Sequence, residues 1–231
     1  MIIRDIYTQY KIMPNLQMHQ LRVAGVANLI GTAMSGQTID INNITLACLL
    51  HDMGNIIKFK LDAFPEFLKP EGLDYWIGVQ KEYIDRYGTD EHVATMRIAR
   101  QVLIQDSRFR IHESERILEL VDAIGFLNAK ANFETNDFGK KIASYADMRV
   151  KPQGVTSLAG RLEDGRTRFS KRQKYYHEAF ETMSAYLQKI EDQIFSKSHM
   201  SPNDITEEAV RVVIPKLQQD FHTQPIDRKD H

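Results

Sequence analysis

The stretch that most narrows what this chain can become is residues 44–55, ITLACLLHDMGN. Ile44, Ala47, Cys48 and His51 recur at i, i+3, i+4 and i+7, the spacing of one helical face, so the imidazole of His51 continues a core-facing apolar stripe. Asp52 is the next residue round. A carboxylate at the inner end of an apolar helix demands a partner, because an unpaired charge is very costly to remove from water. A divalent cation satisfies imidazole and carboxylate together. The alternative is a core histidine bonded to a backbone carbonyl, with Asp52 capping the next segment. On the dipeptide alone both readings stand.

The same helical period recurs along the chain, and no strand-like alternation is sustained enough to build a sheet. Pro14 marks a first helical turn, after which Leu16, His19, Val23, Val26, Ala27, Ile30 and Ala33 form one stripe, with Gly36 as its stop. His19 lies within that stripe, and Arg22 shares its side one turn on. Asp40 is placed to cap the helix that carries His51 and Asp52. Residues 55–76 mix aromatics, lysines and two prolines and read as a loop with short helical turns, the kind of segment that carries substrate contacts.

A helix over 77–87 is stopped by Gly88, and Thr89 is expected to cap the next, on which His92, Met96, Ala99 and Leu103 share a face. Further helices follow around Ile117 to Ile124 and over 136–149, the latter bringing Asp147 beside small residues before Pro152. Residues 161–174 carry Arg161, Arg166, Arg168, Lys171, Arg172 and Lys174 against Glu163 and Asp164, a local balance of +4. This run reads as a solvated turn or as a phosphate-facing lid. Helices over about 170–196 and 206–221 complete the pattern, with Pro215 a kink or early stop in the last.

The expected class is therefore all-α: one domain with a core over 1–160, a helical extension over 161–222 packed on it, and a frayed tail over 223–231. A formal net charge of -1 gives no global pull towards nucleic acid or anionic membrane, so any phosphate binding must be local. Cys48 is the single cysteine and falls on the apolar stripe, which assigns it to packing and fits a reducing, cytoplasmic setting. No apolar run approaches the length needed to span a bilayer, and none resembles a signal peptide.

His19, the His51–Asp52 pair and Asp147 thus come from three helices, with His92 on a fourth. Imidazole and carboxylate together suit manganese, iron, nickel, cobalt, zinc or magnesium. The order H, HD, distant D, with HQLRVA around His19, LACLLHDMGN around His51 and SYADMR around Asp147, resembles the HD-domain metal-dependent phosphohydrolases over roughly residues 14–150. That resemblance implies an HD-type helical bundle in which His19, His51, Asp52 and Asp147 bind one divalent cation that activates water against a phosphate ester. The substrate would be a nucleotide or another small phosphate ester. There would be no nucleic-acid or membrane partner, and a homodimer is left open.

On this reading Asp52, His92 and Arg22 are the expected catalytic residues, and Arg22, Lys58 and His92 contact substrate, Arg22 as first-choice phosphate clamp. Two departures stand out. Asn55, not lysine, follows the HD-x-G motif, with Lys58 and Lys60 further on. Only His92 matches the two additional histidines of two-metal members, so a single metal is expected, with His92 donating to phosphate or moving a proton. The alternative is an HD protein that binds metal or nucleotide without turnover and acts as a regulator.

Overall fold

The computed structural model describes residues 2–36, 38–105, 111–169 and 174–219. They form eleven α-helices, several single 3₁₀ turns and one small hairpin. The expected tail over 223–231 and the basic residues Lys171 and Arg172 lie outside the described residues.

Helix α1 (Ile3–Gln9) precedes the long α2 (Pro14–Ala33), which opens with proline at its first position. There the missing N–H costs nothing and the fixed φ is already helical. Helix α3 (Ile41–Leu50) is capped as expected, the Asp40 carboxylate accepting from Asn43 N at 3.0 Å. All of residues 43–50 are buried, because α3 is wedged between α2, α6 (Ile111–Ala123) and α8 (Phe138–Asp147). Val23, Ala24, Val26, Ala27 and Ile30 of α2 are wholly out of water against this layer.

Two elements depart from their expected limits. Helix α4 (Leu73–Tyr87) starts four residues before position 77, just after Gly72, whose φ of 87° serves the turn into it. Helix α5 (Glu91–Gln105) is capped by Asp90 rather than Thr89: the Asp90 side chain accepts from Val93 N at 2.9 Å. Its buried face is Ala94, Thr95, Ile98, Ala99, Val102 and Leu103, and His92 stands outside it. The spacing 92, 96, 99, 103 is helical, yet so is the neighbouring phase through Ala94 and Ala99. The tighter contact selects the latter. A Cβ on Gly54 would lie 2.5 Å from Glu91 O and 2.7 Å from Thr95 N, so only glycine lets the turn after the His51–Asp52 pair approach α5 this closely.

After α7 (Ala129–Glu134), Asp137 caps α8 by accepting from Gly139 N and Lys140 N, and Arg116 of α6 donates to the same carboxylate at 2.7 Å. Burial alone would raise the Asp137 pKa, but the Arg116 guanidinium and the backbone donors hold it below the usual carboxylate range. Strands β1 (Val150–Lys151) and β2 (Gly154–Val155) make an antiparallel hairpin that follows α8 and packs on α2 and the last helix. Arg149, nearly fully buried, donates to Thr156 O, Tyr145 OH, Pro202 O and Ile205 O, fixing the chain just past Asp147.

Over residues 161–169 the basic run is helical and not a turn. Its first part is helix α9 (Leu158–Phe169), so the expected boundary at 160/161 falls inside one element. Helices α10 (Lys174–Phe195) and α11 (Glu207–Gln219) follow. Pro215 does not end α11, which runs on to Gln219; the carbonyl four residues back, which a proline leaves without its helical donor, belongs to Arg211, an exposed residue. Helix α11 packs on α2, the helix of His19, through buried Val210.

Candidate metal centre

His19 projects from the second turn of α2, His51 is the residue that ends α3, Asp52 begins the turn after it, and Asp147 is the last residue of α8. Three helices distant in sequence thus deliver four donors to one point. His19 Nε2 lies 3.1 Å from Asp147 Oδ1 and 3.5 Å from Asp52 Oδ2. His51 Nε2 lies 3.6 Å from Asp52 Oδ1 and 3.6 Å from Asp147 Oδ1. One ligand atom each from His19, His51 and Asp147 falls within 4.8 Å of the others.

The tautomer of His51 follows from its neighbour. Its Nδ1 is 2.7 Å from Cys48 O, and a carbonyl can only accept, so Nδ1 carries a proton and donates. The other nitrogen, Nε2, is buried without a hydrogen-bond partner and faces both carboxylates. Orienting an imidazole through its distal N–H is how proteins aim histidine ligands. Asp52 is held from behind, its backbone N–H donating to Gln20 Oε1 at 3.3 Å, with Gln20 fully buried on α2.

These residues fit a cation. Ligand atoms about 2.0–2.2 Å from a common ion are separated by roughly 2.8–3.1 Å in octahedral and roughly 3.3–3.6 Å in tetrahedral arrangements. The observed 3.1–3.6 Å contacts are close to that spacing. The electrostatics agree. Burial would lower the His51 pKa, but the Asp52 and Asp147 carboxylates outweigh it and raise it to about 9. Asp147 moves the other way: burial favours its neutral form, yet the adjacent His19 and His51 imidazoles hold it well below the usual range. In the absence of an ion, a proton on His51 balances the carboxylates. A metal takes that place by releasing it. Burial and the Asp147 charge push the Cys48 thiol far up, which keeps it a neutral packing group.

His19, Asp52 and Asp147 line a cavity of about 280 Å³, together with Asn15, Asn55, Lys58, Phe59, Arg161 and Arg168 among others. Lys58, one of the expected substrate contacts, therefore borders the cluster. Arg22 does not line this cavity. Its Nε and Nη2 lie 2.9 and 2.8 Å from Glu207 Oε1, tying α2 to α11. Burial works against the Glu207 charge, but donation from Val155 N and Arg22 holds its pKa low. The place foreseen for Arg22 is taken by Arg161 and Arg168 of α9. They both reach Asp164 Oδ2, at 3.2 and 2.6 Å, and Arg161 Nε is buried without a partner. Arg166 points the other way and pairs with Glu181.

His92 is likewise absent from the cavity lining. It sits half-exposed with Nε2 2.8 Å from Asp122 Oδ1. Positions 161 and 168 are seven residues apart, two helical turns, a signal present in the basic run once it is read as a helix instead of a turn.

No protein-family model, curated protein sequence or solved structure matches this chain. Among the described residues no helix is long and apolar enough to cross a membrane.

Proposed function

We propose that this chain is a metal-dependent phosphohydrolase of the HD type that cleaves a small phosphate ester, a nucleotide being one such substrate. The observation that carries the reading is the His19, His51 and Asp147 cluster, with Asp52 beside it, at the wall of a cavity that His19, Asp52 and Asp147 line together with three cations, Lys58, Arg161 and Arg168. His19, His51, Asp52 and Asp147 would hold the ion. When bound, it would supply Lewis acidity and lower the pKa of a water.

The remaining work belongs to the chain. Lys58, Arg161 and Arg168 neutralise the phosphoryl oxygens, the guanidinium fork of Arg161 being suited to two of them at once. Asp52 accepts the proton given up by water as its oxygen bonds to phosphorus. The bond between phosphorus and the alkoxide oxygen breaks, and the proton taken up by Asp52 passes to that oxygen, so the alcohol leaves neutral and the carboxylate is restored. Gln20 and Cys48 O act behind this, fixing Asp52 and His51 in place.

A panel of phosphate monoesters, assayed with manganese, nickel, cobalt, zinc or magnesium, tests the proposal. Phosphate release that depends on metal and disappears in Asp147→Asn is the expected result. Metal uptake with no turnover of any ester would point instead to a binding protein, the reading that Asn55 in the place of a lysine keeps in play.

A further inference from the structure

A second cavity, of about 490 Å³, opens directly beside the metal centre. Asn15, Lys58, Phe59, Pro152 and Arg168 line both, so the two are compartments of one cleft joined at a polar neck. The far compartment has a different chemistry. Its walls are predominantly apolar, Met13, Leu61, Phe64, Phe67 and Leu68 with Phe59 at the neck, while Lys60, Glu66, Gln153 and Asp164 complete the lining. Its size is within the usual range for small-molecule sites.

This apolar wall is built and held open. Gln80 Nε2 donates to Ile56 O at 2.7 Å and to Phe59 O at 2.9 Å, and Trp76 Nε1 donates to Leu68 O at 3.2 Å, pinning both ends of the 56–68 loop. Phe64 and Phe67 face each other with ring centroids 5.7 Å apart, and Phe64 remains 57% exposed. A phenylalanine left in water at the rim of an apolar cleft is a surface awaiting a partner.

We infer that the substrate is a phosphomonoester of an apolar alcohol, an aromatic or branched hydrocarbon group filling the Phe64–Phe67 compartment while its phosphate lies at the neck against Lys58 and Arg168. This rests on the phosphohydrolase reading and adds the identity of the alcohol half. A highly polar alcohol would strip water from the phenylalanines without replacing its own hydrogen bonds, and so would gain little from the compartment.

Calorimetric titration of the full chain with two unhydrolysable anions, methylphosphonate and benzylphosphonate, reads the compartment apart from turnover. Benzylphosphonate is expected to bind at least about tenfold more tightly, the scale for burying a ring. Phe67→Ala should bring the two within about threefold. Phe64→Ala, on a side chain that is 57% exposed, should narrow the gap in the same direction with the helical circular dichroism unaltered. Equal affinities in the wild type would overturn the apolar compartment and leave the phosphohydrolase reading standing. A preference that survives in both variants would also overturn it, because the ring would then bind elsewhere. Binding of neither anion would overturn both readings.

Discussion

Among the described residues two places pair a histidine with an aspartate, and the shorter contact is not the one that gathers a metal-capable donor set. His92 and Asp122 approach to 2.8 Å, His19 and Asp147 to 3.1 Å. At the first, imidazole and carboxylate are 50% and 65% exposed, one donor meets one acceptor, and water competes with both. Such pairs contribute little. At the second, α2, α3 and α8 each bring a donor, solvent is largely excluded, and His51 Nε2 is left unsatisfied between carboxylates. What marks a functional centre is convergence of complementary donors with an unmet need, and distance alone does not report it.

Substitution should break the two places very unequally. The largest effect is expected from His51→Ala or Asp147→Asn, which should abolish metal uptake and lower phosphate release by on the order of 10²–10³ or more, the scale for removing one preorganised charge-stabilising group. Elemental analysis and a phosphate assay read both. Next, Arg161→Ala should lower kcat/KM by about 10- to 100-fold, the equivalent of one charge-assisted hydrogen bond. Arg22→Ala should instead loosen α11 from α2, lowering Tm with kcat/KM nearly unchanged, in contrast to a role as phosphate clamp.

The pH dependence of the metal-free protein sharpens the contrast further. The folded-state pKa of His51 is raised, so its charged form contributes stability that is fully present below the unfolded value near 6.5 and is lost as pH rises through about 9. Thermal melts in chelator should therefore show Tm falling from pH 6.5 to pH 9, and the fall should flatten in His51→Gln. The smallest effect belongs to His92→Gln: metal content unaltered, rate within about twofold and stability within about 0.5 kcal/mol, as for most exposed positions. A large loss of rate there would make the exposed pair functional and erase the distinction.

The all-α class and the three helices of the metal centre were legible because amphipathic periodicity survives in sequence, and because the apolar stripes of α2 and α3 each contain an out-of-place histidine. Helix phase was harder to read on α5. Two adjacent registers satisfy the same spacing, and the approach of Gly54 to Glu91 and Thr95, a contact between segments far apart in sequence, chooses between them. The role of α9 was hidden for a related reason. Charge clustering in residues 161–174 suggested a solvated turn, whereas Asp164 draws Arg161 and Arg168 onto one helical face and Glu181 draws Arg166 onto the other. Arg22 shares the side of His19 one turn on, but Glu207, 185 residues later, takes its guanidinium. Partners that decide a side chain's fate are tertiary, and local spacing does not contain them.

The central claim is that His19, His51, Asp52 and Asp147 together hold one divalent cation, and metal stoichiometry tests it most directly. Full-length protein stripped with chelator, reloaded with manganese, nickel, cobalt or zinc and passed through a desalting column should retain close to one ion per chain for at least one of these metals. Asp147→Asn, with its helical circular dichroism intact, should retain essentially none, and His92→Gln should match the wild type. Wild-type protein that keeps none of the four metals, or an Asp147→Asn variant that keeps its ion, would contradict the claim.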